Sequence, residues 1–292
     1  VHYIPGWDCH GLPIEWKVEE QFKKNGQEKS DVDLEVFREE CRKFASLWVE
    51  KQKKQFDRFG IQNDWKKIYT TMTKDAEVII VKELLKLYQS DELYLGFKPV
   101  MWSVVEQTAL AEAEIEYQEK KSNSIFVKFP LKNFLKNSSI IIWTTTPWTI
   151  PCNKAIAFSE SLEYRVVELE DNYEKLNLKL KEKIILAENL INEFLKLHKI
   201  EKFKILDDKI KNEDLKNLLC MHPLEKLGFD FEVKLFSSLH VTDESGSGFV
   251  HIAPNHGLED FDVGKKHGLD NKETVMPNGV YSDNIPYFKR MH

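Results

Sequence analysis

The first third of the chain is dominated by apolar residues spaced three or four positions apart. Between Asp31 and Phe59 the apolar residues recur at this spacing and charged residues fill the opposite face, which is the pattern of an amphipathic helix. Ser30 or Asp31 is expected to cap its start and Gly60 its end. The same spacing predicts a second helix from Lys74 to Gln89. The residues expected on the inward face of this second helix are Val78, Ile79, Val81, Leu84, Leu85 and Tyr88.

After residue 124 the pattern changes to short apolar runs separated by polar turns, which is typical of β-strands. A stretch from Tyr173 to Leu219, rich in Lys, Glu, Asn and Leu, predicts helices on the outside of the resulting sheet. Residues 96 to 124 are expected to form a connecting arm. The predicted strands are 124–130, 139–143, 154–158, 164–168, 231–235 and 240–242.

Length and charge narrow the functional class. A chain of 292 residues corresponds to about two domains. Its 42 basic and 48 acidic residues give a net charge of −6, which excludes a generally basic nucleic-acid binder. Mean hydropathy is −0.45 and the apolar runs are too short to span a bilayer, so no membrane association is expected. No secretory signal opens the sequence.

The four cysteines (Cys9, Cys41, Cys152 and Cys220) are scattered and form no Cys-x-x-Cys pair. This spacing argues against a disulfide framework and a cysteine zinc site, and it suits a reducing cytoplasm. The chain begins at Val1 without a methionine and enters a dense motif at once. We therefore expect it to be part of a longer protein.

The first motif runs from Pro5 to Glu15. Its two glycines and two prolines require a shaped loop. Within it, the Asp8 carboxylate can hold a substrate ammonium and the His10 imidazole can form hydrogen bonds. A structural turn explains the glycines and prolines equally well, so the residues alone leave both interpretations open.

The second motif, Trp143 to Asn153, is a cluster of neutral hydrogen-bonding groups. Pro147 and Pro151 stiffen its backbone and remove two N–H donors. Such a strip can bind hydroxyls, carbonyls or an attacking water without bringing a charge. The alternative is a threonine-rich edge strand with a turn. The candidate residues are Thr144, Thr145, Thr146, Thr149 and Asn153.

The third motif begins with a Gly246-Ser-Gly248 turn that leads into a short strand bearing His251. After a Pro/Gly loop, Asp260 is expected to lie in the first turn of a helix, where the helix dipole favours acidic groups. The spacings of His251, His256 and Asp260 match no familiar zinc pattern and no cysteine assists. No metal site is therefore expected in this region.

Together the three motifs resemble the isoleucyl-tRNA synthetases, a class I synthetase family. Valyl and leucyl enzymes share the architecture, but Asp8-Cys9-His10 followed by Gly-Leu-Pro-Ile-Glu, and the run from Val250 to Pro254, look specifically isoleucyl. The resemblance extends along nearly the whole chain. Further landmarks of the family are found at 59–65, 69–72, 98–102 and 108–117.

The resemblance implies an α/β chain of two parts. Residues 1–95 would be a partial Rossmann-type catalytic domain with helices, and residues 96–124 a connecting arm. Residues 125–292 would be a β-barrel-like α+β editing domain, truncated at its C-terminal end. The full-length enzyme would attach isoleucine to tRNA(Ile) using ATP with Mg²⁺, and would be cytoplasmic and monomeric. The region present here would hydrolyse valyl-tRNA(Ile).

The resemblance also implies roles for individual residues. Asp260 would fix the ammonium of the misattached amino acid, and His251 would line the side-chain end of the pocket and help to exclude isoleucine. The threonines and Asn153 would position the terminal adenosine, the ester carbonyl and the water. Trp7, Asp8 and His10 would contribute to substrate binding in the catalytic part.

Some features depart from the family pattern. Gly246-Ser-Gly248 stands where Gly-Thr-Gly is usual, and the sequence contains neither a His-x-Gly-His motif nor a Lys-Met-Ser-Lys-Ser motif. The chain itself is therefore expected to lack aminoacylation. Two alternatives are a free-standing trans-editing deacylase and a tRNA-binding fragment without catalysis.

Overall fold

The computed structural model describes residues 3–270 and 272–292 and separates into two units, Val1–Gly96 and Phe97–His292. In these described ranges no helix is both long and apolar enough to cross a membrane. Unit 1 contains α1 (Leu12–Lys24), α2 (Leu34–Arg58), α3 (Lys74–Gln89) and the two parallel strands β1 (Gly6–Trp7) and β2 (Tyr69–Thr70).

Helix α2 begins where a side chain caps it. The Asp33 carboxylate accepts hydrogen bonds from the N–H groups of Glu35 and Val36, which would otherwise lack partners at the helix start. The predicted caps Ser30 and Asp31 are wrong, because both lie in a separate 3₁₀ turn before the helix. At the other end the helix is capped by Phe59, and the predicted Gly60 follows directly with a positive φ of 77°.

Helix α3 has the predicted bounds, but the prediction of an inward apolar face is wrong. Its six expected core residues are between 49% and 63% exposed, and Ala76 is the residue that the helix buries. The physical reason is that the sheet described in unit 1 has two strands of two residues each, and a sheet of this size cannot cover the helix. Apolar residues on several sides are typical of a helix that other elements cover on those sides.

Unit 2 is built on two sheets. Their strands are β5 (Ile125–Pro130), β6 (Ser138–Thr144), β7 (Ala155–Phe158), β8 (Tyr164–Leu169), β9 (Lys183–Ala187), β10 (Phe203–Ile210), β11 (Leu219–Met221), β12 (Glu232–Ser237) and β13 (Phe249–Ile252). The five-stranded sheet has the order β10-β8-β9-β6-β5 and the four-stranded sheet the order β11-β12-β7-β13. Unit 2 also contains a two-stranded ladder, β3 (Trp102–Ser103) with β4 (Thr108–Ala109), and the helices α4 (Ile191–Leu197), α5 (Asn212–Lys216) and α6 (Leu258–His267).

The main core of unit 2 lies between these two sheets, because their strands alternate side chains between two faces. On β9, Ile185 and Ala187 join this core, whereas Ile184 and Leu186 join a second core packed against α4. Helix α6 packs Val263 against the outer face of the four-stranded sheet. The α/β fold class is thus confirmed. The β-barrel-like description is loose, because the strand ladders of the described residues stay open.

Five of the predicted strands are confirmed as β5, β6, β7, β8 and β12. The prediction of helices throughout Tyr173 to Leu219 is wrong, because β9 and β10 lie there as well as α4 and α5. Strand β9 is apolar on both faces, so apolar and polar residues do not alternate along it. Its flanks are rich in lysine, which matches the composition from which helices were predicted. The predicted strand at 240–242 is a loop.

The turn before β13 depends on a glycine. Gly248 has a φ of +80°, and a Cβ added there would lie 2.3 Å from the Cβ of Ala187. Its carbonyl accepts a hydrogen bond from the buried Tyr164 hydroxyl (2.8 Å), which also accepts the Ser159 N–H (2.9 Å). The turn that leads into β13 is therefore fixed against β8 and β9 of the five-stranded sheet.

We predict that Gly248→Ala lowers the free energy of unfolding by about 3 kcal/mol or more, because left-handed strain and a core clash act together. Gly268→Ala is the matched control, since Gly268 also has a positive φ (63°) but nothing within 4 Å of its added Cβ. Strain alone predicts a loss of about 1–2 kcal/mol there. Equal losses in urea unfolding of the two variants would contradict the close packing at Gly248.

Candidate functional site

The loop of the first motif follows β1 at the carboxyl end of a parallel strand pair. Thr71, which follows β2, donates its hydroxyl to the Asp8 carboxylate (3.1 Å) and accepts the Cys9 N–H (2.8 Å). The His10 Nδ1 lies 3.3 Å from the same hydroxyl. Asp8 is largely exposed, with 81% of its side chain accessible. The structure thus brings Asp8 and His10 together through Thr71.

Trp7 has a different position from its two predicted partners. Its indole N–H donates to the Gln52 carboxamide on α2 (2.9 Å), and its ring packs on the small core formed by Cys9, Ala45 and Val49. A mainly apolar cavity of about 380 Å³ lies beside it, with Asp8 among the lining residues. The Trp7 indole N–H is therefore already engaged within unit 1.

The threonine strip of the second motif begins at the end of β6 and continues into a 3₁₀ turn, Pro147–Cys152, which contains Thr149. Hydroxyl contacts link Thr144 to Thr146 (3.2 Å) and Thr146 to Thr149 (3.3 Å). Thr144 and Thr149 are buried, whereas Thr145 and Thr146 are exposed. The structure therefore places neutral donors and acceptors together, with the exposed Thr146 hydroxyl linked to the buried hydroxyls of Thr144 and Thr149.

His251 continues this row from β13. Its Nε2 lies 3.0 Å from the Thr149 hydroxyl, which itself donates to the Thr146 carbonyl (2.7 Å). Because the hydroxyl proton is used there, Nε2 carries the imidazole proton and Nδ1 is an acceptor. Burial, with help from the neighbouring His256 and His222, lowers the pKa of His251 to about 4. The ring is therefore neutral at pH 7, and its Nδ1 is buried without a partner among the described residues.

Asp260 lies in the first turn of α6, as predicted. Its Oδ2 accepts a hydrogen bond from the Ala253 N–H (2.8 Å). Burial raises the pKa of Asp260 to about 6, with a smaller contribution from Glu259, while the Ala253 hydrogen bond lowers it. The carboxyl group is thus mostly ionised at pH 7 and is a strong acceptor for a cation.

One peptide group connects Asp260 to the threonine strip. The Ile252 carbonyl accepts the Lys154 N–H (2.8 Å), and the next N–H, that of Ala253, is donated to Asp260. Asn153 precedes Lys154 and is fully buried, with its Nδ2 donating to the Ala155 carbonyl (2.7 Å). Its Oδ1 is buried without a partner in the part of the chain that the structure describes.

Two polar contacts of these motifs were not predicted. Thr71 lies in one of the sequence landmarks, but no pattern indicated that it would reach Asp8. Thr274 is buried and its hydroxyl lies 2.8 Å from Nε2 of His256, whose ring packs edge-to-face on Trp148. Contacts across so many residues have no local sequence signal.

The predicted site residues of unit 2 lie apart from a cleft of that unit, and among the described residues they belong to no metal-binding cluster. Within residues 3–270 and 272–292, no three His, Cys, Asp or Glu side chains are grouped to hold a metal ion. A cleft of about 510 Å³ in unit 2 is lined by residues such as Ser159, Ser238 and Lys266 and contains none of the predicted site residues. The hydrogen-bonded row of Thr144, Thr146, Thr149 and His251 reaches the surface at Thr146, and Thr145 is exposed beside it.

The raised pKa of Asp260 predicts that Asp260→Asn stabilises the fold at neutral pH. Well below pH 3.8 both the folded and the unfolded carboxyl are protonated, so the variant gains nothing. As pH rises from 3.8 to about 6, the unfolded carboxyl ionises before the folded one, and wild-type stability falls. Above pH 6 the variant should be more stable by about 1–2 kcal/mol, allowing for partial exposure.

Urea unfolding between pH 4 and pH 8 measures this difference in the free energy of unfolding. The exposed Asp262 on the same helix supplies the control, since Asp262→Asn is expected to change stability by less than about 0.5 kcal/mol. A difference that is independent of pH, or a less stable Asp260→Asn variant at pH 8, would contradict the claim that burial of the ionised Asp260 lowers stability.

Comparison with known proteins gives a consistent result. The family model described as tRNA synthetases class I (I, L, M and V) matches residues 1–263. The chain is 48% identical to an isoleucine–tRNA ligase of Pelagibacter ubique over 99% of its own length and 32% of that protein. It is also 48% identical to an isoleucine–tRNA ligase of Agrobacterium fabrum, over 99% of this chain and 31% of the relative.

The chain spans about a third of the length of these curated relatives. A solved editing domain of the cytosolic leucyl-tRNA synthetase from P. falciparum aligns with half of the chain, at a TM-score of 0.38 and 12% identity. The alignment covers 67% of that structure, and a structural similarity this low adds nothing to the assignment. On the family match over residues 1–263, the chain belongs to the class I tRNA synthetases of the I, L, M and V group.

Proposed function

We propose that this chain is part of an isoleucine–tRNA ligase and that unit 2 is its editing region, which hydrolyses valyl-tRNA(Ile). Family membership and the 48% identity to proteins named isoleucine–tRNA ligase support this proposal. The run Val250 to Pro254 and the loop around Asp8, which look isoleucyl in sequence, support it further. In this assignment residues 1–95 are a partial catalytic domain, 96–124 a connecting arm and 125–292 the editing domain.

The observation that carries the proposal is the buried acceptor at the end of the threonine row. His251 is 6% exposed and its Nδ1 has no partner among the described residues, although a buried polar atom normally has one. A substrate N–H or O–H, or a water, would satisfy it. The row of threonine hydroxyls beside it offers the neutral polar contacts that a ribose and an ester carbonyl require.

Ester hydrolysis needs no nucleophilic side chain in this arrangement. The ionised Asp260 would bind the α-ammonium of the amino acid, and hydroxyls of the threonine row would hold the terminal ribose and direct a water to the ester carbon. The ester bond is already activated, so orientation and hydrogen bonds to the developing oxyanion supply the rate. The neutral His251 would act by contact and hydrogen bonding, because its low pKa leaves it unprotonated at pH 7.

Editing would compensate for weak selection in the synthetic site. A missing methylene in an apolar pocket is worth only about 1–3 kcal/mol, and isoleucine against valine is itself the standing example of this limit. A second site that admits valine and excludes isoleucine at His251 would restore fidelity. This exclusion of isoleucine would be steric, so it does not require a charged pocket.

In the full-length protein, unit 1 would take part in attaching isoleucine to tRNA(Ile). The exposed Asp8 would bind the amino group of the amino acid or adenylate, with His10 and Thr71 orienting it and Trp7 packing behind. ATP would be consumed in that reaction with Mg²⁺. We propose a monomeric, cytoplasmic enzyme.

The central residue of the proposed editing site can be tested directly. We predict that Asp260→Asn lowers the rate of valyl-tRNA(Ile) hydrolysis by about 10²-fold, because the ammonium loses its charged partner. In the unsubstituted chain the rate should fall as pH drops below about 6, where Asp260 takes up a proton. The measurement is release of radiolabelled valine from purified valyl-tRNA(Ile) between pH 5 and 8.

Asp262→Asn is the matched control, because it removes an exposed carboxylate from the same helix. It should hydrolyse valyl-tRNA(Ile) at the unsubstituted rate. Equal rates for the Asp260 and Asp262 variants would remove Asp260 from the mechanism. No hydrolysis by the unsubstituted chain would refute editing by this fragment.

The 292-residue chain should not activate isoleucine. It contains neither a His-x-Gly-His motif nor a Lys-Met-Ser-Lys-Ser motif, the two ATP-binding signatures expected of the family. Isoleucine-dependent exchange of pyrophosphate into ATP should therefore stay at background. Exchange above that of a reaction without isoleucine would contradict the division between the two activities.

A further inference from the structure

His222 is a buried histidine that the sequence motifs do not include. It directly follows β11 and is 2% exposed. Its ring stacks on Phe229, with centroids 4.8 Å apart and planes at 15°, and meets Phe129 edge-to-face. Burial lowers its pKa to about 4, so it is neutral at pH 7.

The hydrogen bonds of His222 fix its tautomer. Its Nδ1 accepts the Leu224 N–H (3.1 Å), which requires an unprotonated nitrogen. The proton therefore lies on Nε2, which donates to the Ile150 carbonyl at 3.2 Å. Both ring nitrogens are thus used by backbone groups, and neither is available for proton transfer to a substrate.

The Ile150 carbonyl lies within the 3₁₀ turn Pro147–Cys152 that carries Thr149. Two of the six residues in this turn are proline, so the turn has fewer N–H groups with which to bond its own carbonyls. Pro151 has no N–H to donate to the Trp148 carbonyl, and the Tyr281 hydroxyl donates there instead (2.5 Å). His222 gives the Ile150 carbonyl a second donor beside the Asn153 N–H.

Any shift of this turn would move the candidate site. The Ile150 carbonyl also accepts the Asn153 N–H (3.0 Å), and Asn153 leads through Lys154 to the peptide that bonds Asp260. Thr149, one residue before Ile150, contacts His251. The Ile150 carbonyl is therefore a point from which both ends of the site are held.

We propose that His222 is a positioning residue for the editing reaction, which sets the threonine row by donating Nε2–H to the Ile150 carbonyl. This inference rests on the proposed function. The ring touches backbone and aromatic side chains, so it acts through the turn and not on the reacting atoms. A displacement of about 1 Å at a reacting centre can cost about 10²-fold in rate, so one anchoring bond is enough to matter.

Two substitutions separate the two hydrogen bonds. His222→Gln places an amide N–H near the position of Nε2 and can keep the bond to Ile150. His222→Asn places its carboxamide oxygen near Nδ1 and can keep the bond from Leu224, but it loses the bond to Ile150. We expect the Asn variant to lose about tenfold in kcat for valyl-tRNA(Ile) hydrolysis with KM changed by less than about twofold. The Gln variant should stay within about threefold of the unsubstituted chain.

His198→Asn is the control for simple loss of an imidazole ring that packs on aromatic side chains. His198 packs on Phe126 and Phe194, in the core on the other face of the five-stranded sheet. Its substitution should lower the thermal midpoint of unfolding but leave kcat of the folded fraction unchanged. The three variants are therefore compared at a temperature where circular dichroism shows each to be folded.

A second readout does not depend on catalysis. The amide hydrogen of Asn153 should exchange faster in His222→Asn than in His222→Gln, and ¹⁵N spectra of the unsubstituted chain should show His222 as the Nε2–H tautomer. The Nδ1–H tautomer, equal Asn153 exchange in the two variants, or equal kcat values would overturn the positioning role. Absence of hydrolysis by the unsubstituted chain would instead overturn the proposed function, while the exchange data would still decide whether His222 anchors the turn.

Discussion

A single peptide group, between Ile252 and Ala253, holds the candidate site of unit 2 together. Its carbonyl accepts the Lys154 N–H beside Asn153, and its N–H is donated to Asp260. Because this peptide lies at the end of β13, which pairs with β7, the sheet fixes the distance between the threonine row and the carboxylate. Two segments about a hundred residues apart in sequence thereby act as one site.

The site is built mostly from uncharged groups in a buried setting. The three imidazoles of His222, His251 and His256 all have a pKa lowered to about 4, chiefly by burial, so none carries a charge at pH 7. Asp260 is the exception, and its burial makes the ionised form costly. A residue that lowers stability at neutral pH yet supplies the charge for substrate binding is the trade-off expected at a functional site.

Sequence patterns predicted the elements whose signal is local. Helix α3 and the strands around the threonine row lie where periodicity placed them, and the helix carrying Asp260 follows the Pro/Gly loop as its acidic residues predicted. Strand β9 could not be predicted, because a central strand buried on both faces shows no alternation. The resemblance supplied the candidate residues, but not how Thr149 engages His251 or that His222 bonds Ile150, since these contacts span about seventy to a hundred residues.

Editing by unit 2 would require a pocket that takes valine and rejects isoleucine while holding the same tRNA. The most direct measurement compares the rates at which the unsubstituted chain hydrolyses valyl-tRNA(Ile) and isoleucyl-tRNA(Ile) under single-turnover conditions. Editing at the His251 end predicts that the valyl ester is cleaved at least about tenfold faster, as expected when one methylene must be excluded sterically. Equal cleavage of the two esters, or faster cleavage of the isoleucyl ester, would contradict the account.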